Sequence, residues 1–233
     1  MLLHSMASWQ SVLACMAVYS LCWPDTVRAQ SVHPVSGRQI APVMGVGGAD
    51  WLVRPEREQE EQPELALDLI GLKPGMQIGD VGAGVGYFSI RMAKRVGREG
   101  KVYANDIQPG MIQRLQANLK REGLDNVIPV LGTETDPKLP AGQLDLVLMV
   151  DVYHEFAHPQ RMLAGIASAL KPGGRLVLLE YRKEDPEVPI REEHKMSIPM
   201  VRQELEAEGF RFDKVLSDLR RQHILIFVKP KAN

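Results

Sequence analysis

The sequence predicts a doubly wound α/β domain: a mostly parallel sheet of seven strands with helices on both faces and an antiparallel strand at the C-terminal end. Three features predict it. The run Ile78-Gly79-Asp80-Val81-Gly82-Ala83-Gly84-Val85-Gly86-Tyr87-Phe88 sets a glycine-rich turn between an apolar strand and an amphipathic helix. From there strand-like and helix-like segments alternate, which calls for parallel pairing through crossover helices. The last two strand-like segments are joined only by Ser217 to Gln222, a link short enough for a hairpin, so one strand must run against the others.

The elements follow in order. The chain from Ser31 to Asp50 is rich in Gly, Pro and Val without sustained periodicity and reads as a linker or a surface-hugging arm. An acidic run, Glu58 to Glu64, and the apolar Leu65–Ile70 make a helix that Gly71 caps. Trp51, Arg54 and Arg57 ahead of it are either packing residues or a cover for a ligand. Strands are expected near Met76–Val81, Lys101–Asp106, Asn126–Leu131, Leu144–Val150, Arg175–Tyr181, Phe210–Leu216 and His223–Val228. Helices are expected near Phe88–Val96, Gly110–Glu122, Pro159–Leu170 and Ile198–Glu208. The nearly unbroken apolar run Leu144 to Val150 is that of a strand buried on both faces.

Without a Cβ, Gly82, Gly84 and Gly86 can take left-handed dihedrals and let a nucleotide-like ligand approach the main chain. The helix that follows offers unpaired N–H groups at its N-terminus. The spacing G-x-G-x-G, with Asp80 two positions ahead, differs from the G-x-G-x-x-G of dinucleotide sites.

The 233 residues, 45% hydrophobic and 24% charged, suit one globular domain with a full core. With 28 basic against 29 acidic residues the net charge is −1, so no positive field attracts nucleic acid. No apolar stretch after residue 30 approaches the roughly 20 residues that span a bilayer. Residues 1–29 stand apart. Val12 to Trp23 is an apolar core of signal-peptide length, and Val27-Arg28-Ala29 before Gln30 offers a cleavage site. The expected product is periplasmic or secreted. The missing Lys or Arg near the N-terminus and the presence of Arg28 keep open a later start at Met6 or Met16, or an uncleaved anchor, giving a cytoplasmic or membrane-tethered protein. Both cysteines, Cys15 and Cys22, lie in this segment. A processed chain would therefore have no disulfide, zinc-thiolate site or cysteine nucleophile. The domain plan is a leader at 1–29, an arm at 30–50 and a globular domain at 51–233.

With Asp80-Val81-Gly82-Ala83-Gly84-Val85-Gly86 as cofactor loop, Asp106 ending the second strand, Leu144 to Asp151 as fourth strand and Leu170-Lys171-Pro172-Gly173-Gly174-Arg175-Leu176 before the fifth, the chain resembles a class I S-adenosylmethionine (SAM)-dependent methyltransferase over residues 51–229. Through Ala49-Asp50-Trp51, Asp151 to Phe156 and Glu180-Tyr181-Arg182-Lys183 it is similar to a bacterial subgroup that carries an export leader. The resemblance implies a Rossmann-like methyltransferase fold, SAM as cofactor and in-line transfer to a small-molecule or lipid acceptor. Export would separate such an enzyme from SAM made in the cytosol.

The resemblance also implies roles. Gly82, Ala83, Gly84 and Gly86 form the cofactor loop, with Asp80 pairing with the methionyl ammonium directly or through water. Asp106, 20 residues beyond Gly86, accepts the ribose hydroxyls. Ile107 offers an apolar face to adenine, and Thr133 and Glu134 stand near its amino group. Plainer readings exist: Asp80 and Asp106 as turn carboxylates, Ile107 as core. On the acceptor side, Asp151, His154 and Glu155 follow the fourth strand. His154 is a candidate base oriented by Asp151 or Glu155, or else a loop histidine with a structural hydrogen bond. Tyr153, Tyr181 and His194 are further lining candidates. Nothing adjacent in sequence gives His194 or His223 a partner.

No metal is predicted, because His154-Glu155 lacks the second histidine of H-E-x-x-H and the His154 to His158 spacing lacks a helical lead-in. Nucleophile-elbow and Walker patterns are absent. Alternatives to an enzyme of the methyltransferase class are an NAD(P)-dependent oxidoreductase on a similar sheet and a noncatalytic SAM-binding protein.

Overall fold

The computed structural model describes residues 32–230; the leader expected at 1–29 and both cysteines lie outside the described residues. The sheet has eight strands: β1 Gln77–Val81, β2 Lys101–Asp106, β3 Val127–Leu131, β4 Leu144–Val150, β5 Leu170–Arg182, β6 Lys195–Met196, β7 Arg211–Leu216 and β8 Gln222–Val228. Their order is β3-β2-β1-β4-β5-β8-β7, with β6 paired to the end of β5. Among the described strands β8 alone runs against the direction of the rest, pairing antiparallel with both β5 and β7, as the short link after β7 requires. The two-residue β6 is the eighth strand, beyond the seven expected. It is too short to leave a period in the sequence.

Each central strand alternates its side chains between two apolar layers. Leu146 and Leu148 of β4 and Val177 and Leu179 of β5 face one, with α2 (Pro63–Ile70), α3 (Tyr87–Val96) and α4 (Pro109–Glu122). Leu144, Val147 and Met149 of β4 and Leu176 and Leu178 of β5 face the other, with α5 (Pro159–Ala169) and α6 (Ile198–Ala207). Burial on both faces is why these strands read as continuous apolar runs. The chain leaves β1 toward β2 on one side and returns to β4 on the other. That reversal opens a crevice at the carboxyl ends of β1 and β4.

Two boundaries differ from the sequence reading. The single helix expected before Gly71 is broken into α1 (Arg57–Glu61) and α2, because Gln62 adopts φ +50° ahead of Pro63, which cannot donate an N–H into a continuing helix. Strand β5 starts at Leu170 rather than near Arg175. Leu170 pairs with Leu144, the register then shifts, and Gly173 and Gly174 bond to Lys229 in the bulge.

Residues 32–50 form an arm docked on the domain. Arg38 is buried and its Nε is 2.9 Å from the Glu204 carboxylate on α6, with Ser36 and His33 also on that carboxylate. Arg38 Nη1 donates to the His154 carbonyl at 3.0 Å, and Ala41 N donates to the same oxygen. The arm is thus bolted to the segment that follows β4. Removing one member of a buried ion pair leaves the other charge uncompensated. Arg38→Ala should lower the unfolding free energy by about 3 kcal/mol in urea denaturation. It should also open residues 32–50 to limited proteolysis, and unchanged stability and protection would contradict this anchor.

Candidate active site

The glycine loop is built from its backbone outward. Gly82 N and Ala83 N both donate to the Asn105 carbonyl, at 2.9 and 2.8 Å, so the loop after β1 is clamped to the end of β2. Gly82 has φ +75°, and a Cβ there would meet Val152 Cγ2 at 2.4 Å. The constraint at this glycine is therefore twofold, dihedral and close approach to the segment after β4. Gly86 caps α3 at φ +91°.

The loop borders a cavity of about 710 Å³ at the predicted crevice. Of the sequence-predicted cofactor residues, Gly82, Gly84, Asp106, Ile107, Thr133 and Glu134 line it. Asp80, Ala83 and Gly86 do not. Asp80 is 2% exposed and its Oδ2 accepts from Ser89 Oγ on α3 at 2.5 Å, so its carboxylate pins the helix to the strand beneath the loop. Asp106 accepts from Gly84 N and from Gln108 N, each at 2.9 Å, one bond per oxygen. Each oxygen keeps a lone pair for a ligand. Burial lifts Asp106 above the usual carboxylate range, against the pull of those backbone N–H groups.

The opposite wall comes from the segment after β4. Asp151 holds φ +48°, an uncommon conformation for a residue other than glycine. Its Oδ2 accepts from Gln222 Nε2 at 2.7 Å, while its Oδ1 is buried without a hydrogen-bond partner among the described residues. Desolvation, then the Glu61 and Glu180 carboxylates, hold its pKa well above the ordinary value. A buried, under-satisfied carboxyl on a cavity wall fits a cationic ligand group. Tyr181 OH donates to Glu61 Oε1 at 2.9 Å, and Glu61 also pairs with Arg57 Nε at 2.7 Å. Arg57 and Tyr181 line the cavity, as does Trp51 with Arg54 stacked 3.7 Å over its ring.

His154 is buried, and its Nδ1 lies 2.7 Å from Glu180 Oε2 on β5, while Glu180 Oε1 accepts Tyr153 N. Burial pushes the His154 pKa down to about 4, leaving the imidazole neutral at pH 7, and lifts Glu180 above its ordinary value for the same reason. Glu155 accepts Met44 N from the arm at 3.3 Å, and burial raises it to about 7. The structure supplies the partner that sequence could not give His194: its Nδ1 is 3.1 Å from His154 Nε2. One donor atom each from His154, Glu155 and His194 lies within 4.8 Å of the others. His223, buried on β8, lies outside this cavity's lining. Glu180, Glu61 and the arm residues Met44 and Arg38 are the parts of the site that sequence reasoning missed. Each acts across more than twenty residues of chain, and only Glu180-Tyr181, at the expected end of a strand, left any signal.

A crevice at the topological switch point, a backbone cradle and a carboxylate at the end of the second strand define a nucleoside-binding α/β protein. Residues 78–174 match the family model described as methyltransferase domain. The chain is 32% identical over 119 residues to the ubiquinone/menaquinone biosynthesis C-methyltransferase UbiE of Laribacter hongkongensis, covering 51% of this chain and 48% of that protein. It is 36% identical over 112 residues to nocamycin O-methyltransferase of Saccharothrix syringae, covering 48% and 40%. The chain thus spans about half the length, or less, of these curated relatives. A SAM-dependent methyltransferase from Aquifex aeolicus superposes with TM-score 0.76 at 28% identity, covering 80% of this chain and 99% of that one. Over residues 78–174 the chain is similar to methyltransferase domains, on a fold shared with a SAM-dependent methyltransferase, and SAM is the cofactor this similarity implies.

The residues present suit that group: Asp106 can receive ribose hydroxyls, Gly82 and Gly84 bring bare main chain to the cavity lining, and the orphan Asp151 Oδ1 can meet an ammonium. Asp80, by contrast, is tied to helix packing. Burial, opposed by the Ser89 hydrogen bond, raises its pKa from 3.8 to about 6. The folded chain therefore holds the Asp80 proton more tightly than the unfolded chain, and this contribution to stability is full below pH 3.8 and lost as pH rises to about 6. The stability of Asp80→Asn relative to wild type should accordingly increase between pH 4 and 6 and level off above, measured by urea unfolding across that range. A flat difference would show that Asp80 titrates normally.

Proposed function

We propose that the protein transfers a methyl group from SAM to a small-molecule or lipid acceptor held between the segment after β4 and the arm. The observation that carries the reading is that Asp106, with one lone pair left on each oxygen, shares a cavity with the under-satisfied Asp151 and the neutral His154. SAM supplies an already activated methyl group, so the chain's task is alignment and exclusion of water. Asp106, Gly82 and Gly84 would hold the nucleoside and methionyl ends. Trp51, Leu52 and Met44, which line the cavity from the arm side, would shield it from solvent. Val43, Phe156, Met162 and Ile190 give the remaining wall an apolar character suited to a hydrophobic acceptor. His154, neutral and fixed by Glu180, can accept a proton at Nε2 if the acceptor must release one. The names of two relatives refer to carbon and to oxygen methylation, so both acceptor atoms belong in the screen.

Export also belongs to the proposal, on the leader-like residues 1–29. Sequencing the N-terminus of protein from the native host should return a start at Gln30, and an intact Met1 would set export aside.

Titration calorimetry with SAM and with S-adenosylhomocysteine tests the cofactor, with NAD as the control. Asp106→Ala should weaken binding by about 1–3 kcal/mol, roughly 5- to 150-fold, as expected for loss of charged hydrogen bonds to buried hydroxyls. Unaltered affinity removes Asp106 from the site. Transfer of labelled methyl to a panel of phenols, quinols and lipids tests turnover, and cofactor binding without transfer across that panel would favour a noncatalytic SAM-binding protein.

A further inference from the structure

We propose that His154, Glu155 and His194 form a binding site for a divalent transition-metal ion of the zinc class on the acceptor wall of the cavity. Two imidazole nitrogens, His154 Nε2 and His194 Nδ1, face each other at 3.1 Å, with the rings at 80°. Nitrogens bound 2.0–2.1 Å from one tetrahedral ion stand about 3.3 Å apart, so this pair is already spaced to share an ion. A Glu155 carboxylate oxygen completes a set whose donor atoms lie within 4.8 Å of one another. Two histidines and a glutamate are the donor set of an open catalytic zinc site.

The surroundings agree with ligation. Metal-binding histidines characteristically give their other ring N–H to a carboxylate, which fixes the tautomer and aims the free nitrogen. Glu180 Oε2 stands 2.7 Å from His154 Nδ1 and is itself held by Tyr153 N. With the proton on Nδ1, the Nε2 lone pair points to His194. The three ligands come from the segment after β4 and from the single-turn helix Glu192–His194 beside β6. All three line the same cavity as Gly82, Gly84 and Asp106, so a fourth coordination position opens toward the acceptor space. An acceptor oxygen bound there would lose its proton more readily, and this would take the place of proton uptake at His154 Nε2, whose lone pair the ion occupies. That use rests on the methyltransferase reading; the ion site does not.

A plain hydrogen bond between the histidines would also set the 3.1 Å distance, and the experiment separates the two. Tag-free full-length protein, stripped with a chelator, is titrated with Co²⁺ and followed by visible d–d absorption and calorimetry, with S-adenosylhomocysteine titrated into the same samples. The expected result is one Co²⁺ per chain, displaced by Zn²⁺. His194→Ala and Glu155→Gln should each weaken it about tenfold or more, and Glu180→Gln about 10- to 100-fold. Circular dichroism checks that each variant is folded, and His194, half-buried on a short turn, is the safest of them. No d–d band at millimolar Co²⁺, or equal affinity in wild type and His194→Ala, overturns the site. Cofactor binding without metal binding defeats this inference alone, whereas metal binding without cofactor binding supports it and defeats the methyltransferase reading.

Discussion

The acceptor wall depends on Glu180. Its two carboxylate oxygens take Tyr153 N and His154 Nδ1, fastening the segment after β4 to the neighbouring strand. From the other side the His154 carbonyl receives Arg38 and Ala41 of the arm. A four-residue stretch is thereby held from two directions, through its Tyr153 N–H and its His154 carbonyl. Asp151, the residue that starts this stretch, keeps a positive φ that the surrounding contacts must sustain. Val152 closes on Gly82 from the same segment, so the cofactor cradle and the acceptor wall share one backbone constraint.

Two aspartates near the cradle have separate tasks. Asp106 sits at the end of β2, where its oxygens meet both the loop after β1 and solvent-side space. Asp80 lies a strand away and is directed inward, toward Ser89. A short motif puts both near the ligand in sequence, but period-two alternation along β1 sends the Asp80 side chain into the helix interface. Proximity in sequence to a binding loop therefore carries less weight than the face of the strand on which a residue lies.

The parts of this molecule that could be read from sequence were those governed by local rules. Alternating apolar runs, the glycine loop and the short link before β8 each impose their geometry within a few residues, and the sheet order follows from crossover packing. The break at Gln62 was legible through Pro63, though the apolar run beyond it masked the signal. The acceptor side was less legible because its partners are distant: His194 meets His154 across 40 residues, Arg38 meets Glu204 across 166. Neither pairing has a spacing rule. An arm rich in Gly, Pro and Val reads equally as a linker and as a surface-hugging segment, and the burial of Ile40, Ala41 and Ala49 decides for the second.

Charge gives these separate observations a common direction. Asp151 and Glu155 line one side of the cavity with Glu61 and Glu180 buried behind them, while Arg57 is already paired with Glu61 and Arg38 with Glu204. Buried carboxyls in such surroundings either shift toward the protonated form, the direction in which burial moves Asp151, Glu155 and Glu180, or meet a cation. A ligand that brings positive charge to this wall relieves a cost that the empty fold bears by protonation. The methyl donor implied by the fold carries that charge at its ammonium and its sulfonium, and loses the second when the methyl leaves. Ionised carboxyls on this wall would therefore attract the donor more than the product from which the methyl has gone.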